Sequence, residues 1–422
     1  MKHFIILLLI LIYFFACAFL ENGFSDRIVF ADINLLVIAL FGVSSWIARG
    51  PAFSSKLHMA ALPLFASLFV STFFSILPER AAFELLVMAF SYVGSYFAIV
   101  LIMRLPEDWV YRLCNGYVLV IGLLAAACLV DYLFLPGLLS SRQSGGLQGP
   151  MQNTGQSGSF FGVHLAVMAA MVFSGLVPRR MIFVGCLALV ALALVFTLKR
   201  ASNIGIICGF LALIGLLFSS PYLKEKRTAS ILLMVFSAAG AIGYAIFLFA
   251  LENVKGLQWR FSYKFSSDKI EDFREGFFAE NYQSAMAALS DRPFFGVGLD
   301  NVRDIYQTHE IHSTYLGVLA YAGLIGIMAY SFFMYKLLSG MWHESKFRMQ
   351  NKWAAFQFYL FALTSGQMVS WIYTYHLRKR EFWILVLFTV VAAEMSRRAR
   401  KNVEPQIASK GQYSVFWSAK KV

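Results

Sequence analysis

Two histidines stand three residues apart at the start of a long apolar run, in the stretch THEIHSTYLGVLAYAGLIG at residues 308–326. Histidine exchanges its proton near neutral pH and is the most common general acid or base in enzymes. His312 lies at the border of the apolar run, where an aqueous and an apolar environment meet. We therefore take His312 as the candidate general base and His309 as a further site candidate, with Ser313 and Tyr315 as neighbours that can orient a hydroxylic substrate.

Three other interpretations apply to the same histidines. A zinc site needs a third and preferably a fourth ligand, and HEIH lacks the H-E-x-x-H spacing of metalloproteases. A serine hydrolase is disfavoured because the sequence contains no G-x-S-x-G elbow. A histidine that anchors a helix end at a membrane interface is a purely structural alternative. We expect neither a metal ion nor a cofactor.

Two short polar turns between apolar runs carry clusters of basic residues. Lys199 and Arg200 lie in the turn TLKRASN. Arg378, Lys379 and Arg380 lie in the turn YHLRKREFW. Guanidinium groups bind two phosphate oxygens at once, and a partly dry site strengthens that contact. These residues are candidates for binding an anionic ligand. Because the distribution of charges across membranes is a statistical rule, such clusters can also arise without a function.

The composition indicates a polytopic membrane protein. Of the 422 residues, 59% are hydrophobic and 14% are charged, whereas an ordinary soluble domain has about 25% charged residues. The net charge of +13 agrees with cytoplasmic loops that collect Lys and Arg, so we expect no nucleic-acid partner. The five cysteines lie in or beside apolar runs and form no CxxC pair, which argues against a disulfide framework.

About twelve apolar runs are long enough to cross a bilayer as helices, for which about 20 residues are needed. The predicted fold is therefore all-α, a polytopic integral membrane protein with about twelve transmembrane helices and one large extracytoplasmic helical loop. The apolar core of the first run is longer than that of a signal peptide, so we interpret it as a retained span. The predicted spans are 3–20, 28–48, 57–78, 83–103, 115–136, 158–177, 180–198, 201–219, 229–251, 312–338, 353–374 and 381–396.

Lys and Arg side chains accumulate on one side of these spans if both termini lie in the cytoplasm. That orientation places His312 and the two basic turns on the extracytoplasmic side. The predicted regions are an N-terminal transmembrane bundle of about nine helices at 1–251, an extracytoplasmic loop with amphipathic helices at 252–311, C-terminal transmembrane helices at 312–396 and a basic cytoplasmic tail at 397–422.

Two polar segments fall on the predicted outer side. Residues 139–159 are rich in Gly, Ser and Gln and are predicted to form a flexible loop, whose amides can contact sugar hydroxyls. A plain linker is an equally good interpretation of this segment. The loop at 252–311 is near the lower size limit of an independent domain, so we interpret it as a lid on the membrane core.

A helix is predicted within this lid, because apolar residues recur there at helical spacing. The pattern ends at Asp291, Arg292 and Pro293, and an amphipathic helix at the membrane interface accounts for it. The glycines that follow, at 296 and 298, permit a tight backbone path. The residues predicted to share one helix face are Phe277, Phe278, Tyr282, Ala285, Met286 and Leu289.

A glycan or lipid transporter is the rival functional class. Transporters usually place ionisable residues or broken-helix sites near the middle of the bilayer. Here the central parts of the predicted spans are nearly free of charge, and the closest candidates, Asp131 and His164, lie toward span ends. Because the unusual polar residues gather on the outer side, chemistry at the outer leaflet is favoured. A membrane scaffold with an interfacial histidine is a third possibility.

Three segments together resemble the O-antigen ligase and O-antigen polymerase superfamily. HSTYLGVLAYAGLIG resembles its His-(Asn/Ser)-x-x-Leu…Gly-x-x-Gly pattern, and YQSAMAALSDRPFFGVGLDN resembles its upstream helix followed by Pro-x-x-Gly-x-Gly. TLKRASNIG resembles its Ser-Arg-x-x motif at an outer helix junction. Three departures concern Lys199, which replaces the usual serine, Tyr282, which replaces a tryptophan, and the loop arginine, for which Arg274 is the nearest match and Arg260 a competitor.

The resemblance implies a metal-independent, inverting glycosyltransferase of the bacterial inner membrane, with its active site facing the periplasm. The donor would be a glycan on undecaprenyl pyrophosphate, embedded among membrane lipids. The acceptor would be lipid A-core for a ligase, which we favour, or a second lipid-linked glycan for a polymerase. The implied roles are general base for His312 and pyrophosphate binding for Arg200 and Arg274, with Arg260, Lys199, Arg378 and Arg380 as further candidates.

Overall fold

The computed structural model describes residues 2–19, 30–54, 56–135, 137–139, 146–151, 153–178, 180–253, 258, 262, 279–306 and 310–409. Within these ranges the chain is helical and contains no strand, which confirms the all-α prediction. In chain order the helices are α1 (Lys2–Ala16), α2 (Phe30–Arg49), α3 (Lys56–Met59), α4 (Leu62–Phe73), α5 (Pro78–Ile102), α6 (Glu107–Leu133), α7 (Thr154–Ser174), α8 (Met181–Phe196), α9 (Arg200–Phe218), α10 (Leu223–Asn253), α11 (Ala279–Asp291), α12 (Val302–Ile305), α13 (Thr314–Ser345), α14 (Lys352–Ser370) and α15 (Arg380–Ser409).

The membrane character of the chain is confirmed, whereas the number of twelve spans stays a prediction. Seven segments of the described chain are long and apolar enough to cross a bilayer, namely α2, α3 with α4, α5, α6, α7, α9 and α13. The helices α1 and α8 and the second half of α10 are apolar but shorter. Each of the twelve predicted runs nevertheless overlaps a helix of the structure.

Local sequence explains where several helices begin. Asn153, Ser313 and Asn351 precede α7, α13 and α14, and their side-chain oxygens each accept a backbone N–H of the first turn. Pro78 occupies the first position of α5, where its missing N–H would have no helical partner in any case. The caps at 153 and 313 matter most here, because they fix the ends of two helices that border the site described below.

Six helix ends meet at one end of the bundle, because successive helices alternate in direction. The chain before α7 contacts the end of α8, where the Leu147 N–H donates to the Phe196 carbonyl at 2.8 Å. The start of α13 contacts the end of α14, where the Thr314 N–H donates to the Trp371 carbonyl at 2.9 Å. The starts of α9 and α15 lie at the same end, since they directly follow α8 and α14.

The tightest helix contact in this arrangement joins α9 to α14 through glycines. A Cβ atom built on Gly366 of α14 would lie 2.1 Å from the backbone nitrogen of Gly209 on α9. One turn away, a Cβ on Gly205 would lie 2.8 Å from the Cβ of Ser370. Gly205 and Gly209 form a small-xxx-small pattern of the kind that lets transmembrane helices approach closely. This contact holds the first residues of α9 against the last residues of α14.

The apolar run after His312 is broken rather than continuous. At Gly323 the backbone of α13 leaves the helical region, with φ 65° and ψ −160°. The segment 293–298 fills the break: the Leu324 N–H donates to the Pro293 carbonyl at 2.8 Å, and the Gly298 N–H donates to the Tyr321 carbonyl at 3.1 Å. Backbone groups released inside a membrane protein need such internal partners.

The tight backbone path predicted for the glycines at 296 and 298 is confirmed by the hydrogen bonds between this segment and α13. Both glycines have positive φ values, 69° and 95°. A Cβ on Gly296 would lie 2.5 Å from the backbone nitrogen of Ala322, so no larger residue fits there without a shift of the backbone. Glycine is therefore required at 296 both for its conformation and for the close approach to α13.

The helix predicted in the lid is present as α11 and ends at Asp291 as expected. The apolar face predicted at the membrane interface stays a prediction: Tyr282 is 51% exposed, and Phe277 and Phe278 lie outside the described residues. The face of α11 that is buried in the protein consists of Asn281, Ser284, Ala285 and Ala288. It packs against α13, where small side chains permit a closer approach than large apolar ones.

The loop predicted at 139–159 ends earlier than expected. Residues 154–159 form the first turns of α7, because the Asn153 side chain accepts the Gln156 N–H at 2.9 Å and begins the helix there. The glycines that suggested a flexible loop serve a close contact instead. A Cβ on Gly158 would lie 2.5 Å from the Cβ of Lys199.

Gly366→Ala is expected to destabilise the folded bundle, because the added methyl group meets the backbone nitrogen of Gly209 at 2.1 Å. Overpacking of a close contact typically costs about 1–3 kcal/mol. The matched control is Gly215→Ala on α9, where an added Cβ meets no atom within 4 Å. Thermal unfolding of the purified variants in detergent measures the difference, and equal midpoints for the two variants would contradict the close contact.

Candidate active site

His312 lies on the short segment that leads into α13, and its backbone is anchored on both sides. The His312 N–H donates to Oδ1 of Asn281 on α11 at 3.0 Å. The next residue, Ser313, begins α13, and its Oγ accepts the Leu316 N–H at 3.3 Å. The His312 side chain is exposed. An anchored backbone thus presents an accessible imidazole at the end of the bundle where the six helix ends meet.

The surroundings of His312 favour its neutral form. Its pKa is lowered from the ordinary value, first because neighbouring protein atoms displace water from part of the ring. Glu310 opposes this effect, while the positive charges of Lys199, Lys379 and Arg378 add to it. At neutral pH the imidazole therefore keeps a lone pair on one ring nitrogen, as a general base requires.

Lys199 and Arg200 lie at the junction of α8 and α9, as predicted. The chain reverses there through Leu198, which has a φ of 54°. Burial lowers the pKa of Lys199, and the neighbouring charge of Arg200 lowers it further. Since the Lys199 charge also acts on His312, this turn and the histidine lie close together at one end of the bundle.

Arg378 is paired with carboxylates in the loop between α14 and α15. One of its terminal nitrogens lies 2.6 Å from Oε1 of Glu310, and the other lies 4.0 Å from Oε2 of Glu84. Both carboxylates line one small cavity beside the guanidinium, together with Asp300. The ion pair with Glu310 also holds the segment that carries His312, because Glu310 precedes the histidine by two residues.

Arg380 is paired as well, with a carboxylate from the first part of the chain. Its Nε and one terminal nitrogen both donate to Oδ1 of Asp32 on α2, at 2.9 and 2.7 Å. The structure thus gives the two arginines that were predicted as phosphate candidates, at 378 and 380, a protein partner each. Their role in phosphate binding stays a prediction.

Lys379 lies between these arginines in sequence but contacts a different group. Its Nζ donates to Oγ of Ser159 on α7 at 2.7 Å. Burial lowers the pKa of Lys379 to about 8, with Lys199 acting in the same direction and Glu381 in the opposite one. The sequence offered a signal for this residue, a third cation in the turn YHLRKREFW, but its neighbours were favoured because arginine forms bidentate phosphate contacts.

Hydrogen bonds join the start of α13 to the loop that carries these cations. The Thr314 hydroxyl donates to the Thr374 carbonyl at 2.7 Å and accepts the His376 N–H at 3.0 Å. The His376 side chain is buried, and its pKa lies well below the ordinary value because of burial and the nearby charges of Lys379 and Lys199. Sequence inspection did not single out His376, although it lies in the turn YHLRKREFW, because the arginines of that turn were considered instead.

The two hydroxyl residues beside His312 have roles within the fold. Ser313 caps α13, as described above, and the Tyr315 hydroxyl donates to the Met368 carbonyl at 3.0 Å. Their predicted contact with a hydroxylic substrate stays a prediction. Asn281 was not identified from the sequence either, although it lies in the helix that resembles the family pattern, because its partner is a backbone N–H 31 residues away.

Three predicted site residues, Arg260, Arg274 and His309, lie outside the described residues. Arg274, the second arginine of the predicted pyrophosphate site, therefore has no described position. Among the residues whose positions are described, no group of three or more His, Cys, Asp or Glu side chains is placed to hold a metal ion.

The two residues weighed for a transporter both have partners inside the bundle. Asp131, near the end of α6, is buried and accepts the Leu139 N–H through Oδ1 at 2.8 Å. His164 on α7 is fully buried, and its Nδ1 lies 2.6 Å from the Tyr117 hydroxyl. Both hydrogen bonds connect parts of the fold, so neither residue requires a transported ligand to account for its position.

Glu310→Gln is expected to lower the pKa of His312 further, because the nearby carboxylate is the group that raises it. The fraction of neutral imidazole at slightly acidic pH then increases. The rate at which diethyl pyrocarbonate modifies His312, measured by peptide mass spectrometry against pH, reports this fraction. Modification of His343, at the opposite end of α13, serves as the internal control, and an upward shift for His312 would refute the electrostatic account.

The family model described as O-antigen ligase matches residues 185–331 of the chain. The matched segment runs from α8 into α13, and it includes the turn with Lys199 and Arg200, the helix α11 and His312. No match to a curated protein was found. The predicted resemblance of this chain to the O-antigen ligase and O-antigen polymerase superfamily is therefore confirmed across that segment.

Proposed function

We propose that the chain is an inverting glycosyltransferase that moves a glycan from undecaprenyl pyrophosphate to a sugar hydroxyl of lipid A-core, the reaction of an O-antigen ligase. The reaction takes place at the outer leaflet of the bacterial inner membrane, in a site that faces the periplasm. The family match supports an activity of the ligase or polymerase type. The undecaprenyl donor and the lipid A-core acceptor are the finer part of the proposal.

The observation that carries this proposal is a neutral, accessible imidazole surrounded by cations at one end of a helical bundle. The charges of Lys199, Lys379 and Arg378 all act on His312. A glycosyl transfer from a diphosphate carrier needs a base for the acceptor hydroxyl and positive charge for the leaving group. An end of a membrane bundle is also where a lipid-anchored diphosphate and a water-exposed sugar can meet.

In the proposed reaction, His312 accepts the proton of the acceptor hydroxyl while that oxygen attacks the anomeric carbon of the donor sugar. The bond between the anomeric carbon and the phosphate oxygen breaks, and the lipid diphosphate leaves with the bonding electron pair. Attack from the side opposite the leaving group inverts the anomeric configuration. General base catalysis of this kind typically contributes about 10²–10⁴-fold to the rate.

Arg200 and Arg274 are proposed to bind the diphosphate and to stabilise the charge that develops as it leaves. A hydrogen-bond donor that is already oriented toward such charge typically stabilises the transition state by about 2.7–4 kcal/mol. The support from the described residues comes from Arg200, which is half-buried at the first position of α9. Lys199 and the arginines at 260, 378 and 380 are further candidates for the same diphosphate.

The membrane surface of the bundle is proposed to bind the polyprenyl tail of the donor. Large apolar side chains are exposed along α5, α6 and α9, including Leu86, Leu123 and Leu211, as expected for surfaces that contact lipid. Lys2 begins α1 at the end of the bundle away from His312, and α15 likewise leads away from the site. We therefore propose that both termini lie in the cytoplasm.

The purified protein is expected to attach a glycan from undecaprenyl pyrophosphate to lipid A-core, seen as a shift of the core band on a gel. His312→Ala is expected to lower kcat by about 10²–10⁴-fold, because the acceptor proton loses its base. Binding of the lipid donor should persist in this variant, as the cations are unchanged. A chelator should not change the rate, since no metal is proposed in the reaction.

The control for this experiment is His343→Ala, at the far end of α13 and outside the proposed site. A ladder of longer glycans on the carrier alone would identify a polymerase, and the lipid A-core part of the proposal would then be wrong. Equal transfer by the His312→Ala variant and the wild type would exclude His312 as the base. Movement of the glycolipid across a vesicle bilayer without transfer would indicate the transporter instead.

Arg200→Ala is expected to raise the KM for the lipid-linked glycan and to lower kcat by about 10²–10³-fold. The reason is that the leaving diphosphate loses the hydrogen bonds from this guanidinium group. Arg112→Ala is the matched control, since Arg112 stacks on Trp109 near the start of α6, away from the site. Initial rates at varied donor concentration separate the two constants. An unchanged KM and kcat for Arg200→Ala would remove this arginine from the proposed clamp.

A further inference from the structure

We propose that Lys379 and Lys199 form a phosphate subsite along the first turns of α7, and that this subsite binds the diphosphate of a lipid carrier. The proposal rests on the proposed function and deepens it. It adds Lys379 to the residues that hold the donor, and it separates this lysine from the two arginines beside it in sequence.

Both lysines lie against the same short stretch of α7. The Lys379 Nζ donates to the Ser159 hydroxyl oxygen at 2.7 Å. The Lys199 side chain packs on Gly158, and its Nζ lies 3.5 Å from the Cβ position of Gly155, one turn earlier. The two glycines leave the space that the Lys199 side chain occupies. The two ammonium groups thus approach one helix face from two different loops.

The two lysines differ from the neighbouring cations in their partners. Arg378 and Arg380 each form an ion pair with a carboxylate, at 2.6 and 2.5 Å. Neither Lys199 nor Lys379 forms an ion pair with a carboxylate of the described chain. Their charges repel one another, and burial lowers the pKa of both side chains. An anion placed between them would offset both penalties.

A third group at the same place supports a ligand. His376 is 1% exposed, and within the described part of the chain neither of its ring nitrogens has a hydrogen-bond partner. The charges of both lysines act on this ring, so it lies close to them. Buried polar groups are rarely left without a partner. A neutral imidazole carries one N–H, which a phosphate oxygen between the lysines can accept.

The position of the subsite favours a lipid diphosphate over a free phosphate ion. Lys199 directly precedes Arg200, so the subsite adjoins the arginine proposed to bind the same diphosphate. The subsite lies at the ends of α7 and α9, two of the helices long and apolar enough to span a bilayer. A diphosphate held there leaves its prenyl chain along their lipid-facing surfaces, and its glycan near His312.

Binding of farnesyl diphosphate to the full-length protein in detergent tests the subsite directly. Lys379→Met and Lys199→Met are each expected to weaken binding about 10- to 100-fold, the usual loss for a charge-assisted hydrogen bond. The control is Lys336→Met, because Lys336 is an exposed lysine on α13 that stacks on Phe332. Thermal unfolding confirms that each variant is folded. Unchanged affinity in Lys379→Met would overturn the proposal.

A pH series separates a phosphate contact from a structural role. Because the pKa of Lys379 is about 8, wild-type affinity should fall as pH rises through about 8, where the lysine loses its charge. The second ionisation of a phosphate has a pKa of about 6, so it is nearly complete before pH 8. Lys379→Arg keeps its charge and should bind without that fall. The same fall in Lys379→Arg would overturn the proposal. The charged groups that act on Lys379 are Glu381, Lys199, Arg378 and Glu310.

Inorganic pyrophosphate, used as a second probe, identifies the source of the phosphate groups. Tighter binding of farnesyl diphosphate than of pyrophosphate supports a lipid carrier, and binding of pyrophosphate alone would overturn that part of the proposal. If the wild-type protein transfers no glycan but binds farnesyl diphosphate in a way that depends on Lys379, the proposed function is refuted and the subsite is not. Normal donor KM and normal binding in Lys379→Met would refute the subsite but not the function.

Discussion

The contact of α9 with α14 through Gly205, Gly209 and Gly366 determines where the residues of the site lie. Lipid provides little hydrophobic drive for helices to associate, so close backbone contact is a main source of their attraction. Here the backbones approach so closely that a single methyl group at 366 has no room. The turn before α9 and the loop after α14 are therefore held together, and with them the cations at 199 and 379.

The break in α13 provides the second constraint, because it positions the histidine. The segment 293–298 supplies the hydrogen bonds that the helix loses at Gly323. That segment directly follows α11, so filling the break also fixes α11 against α13. The Asn281 side chain of α11 can then hold the His312 backbone at 3.0 Å. The histidine is thus held by hydrogen bonds on both sides, while its ring stays accessible.

Sequence reasoning identified the helices, the end of α11, the tight path at 296 and 298, and the gathering of Lys199 with His312 at one end of the bundle. These features follow from local patterns of apolar residues, glycine and charge. The predicted start of α7 was wrong, and the small-residue buried face of α11 was not identified, because small residues pack more closely than a hydrophobic pattern suggests. The partners of the cations were also beyond sequence reasoning, since Arg380 pairs with Asp32, 348 residues away.

In the proposed reaction, the charges that attract the diphosphate also act on the base. Before the donor binds, burial lowers the pKa of His312 and the surrounding cations lower it further, so the imidazole is neutral. A bound diphosphate adds negative charge that screens those cations, so it raises the pKa of the imidazole and strengthens it as a base when the acceptor arrives. Departure of the lipid diphosphate removes that charge again, and the pKa falls. The cations then favour release of the proton to water, which returns His312 to its neutral form.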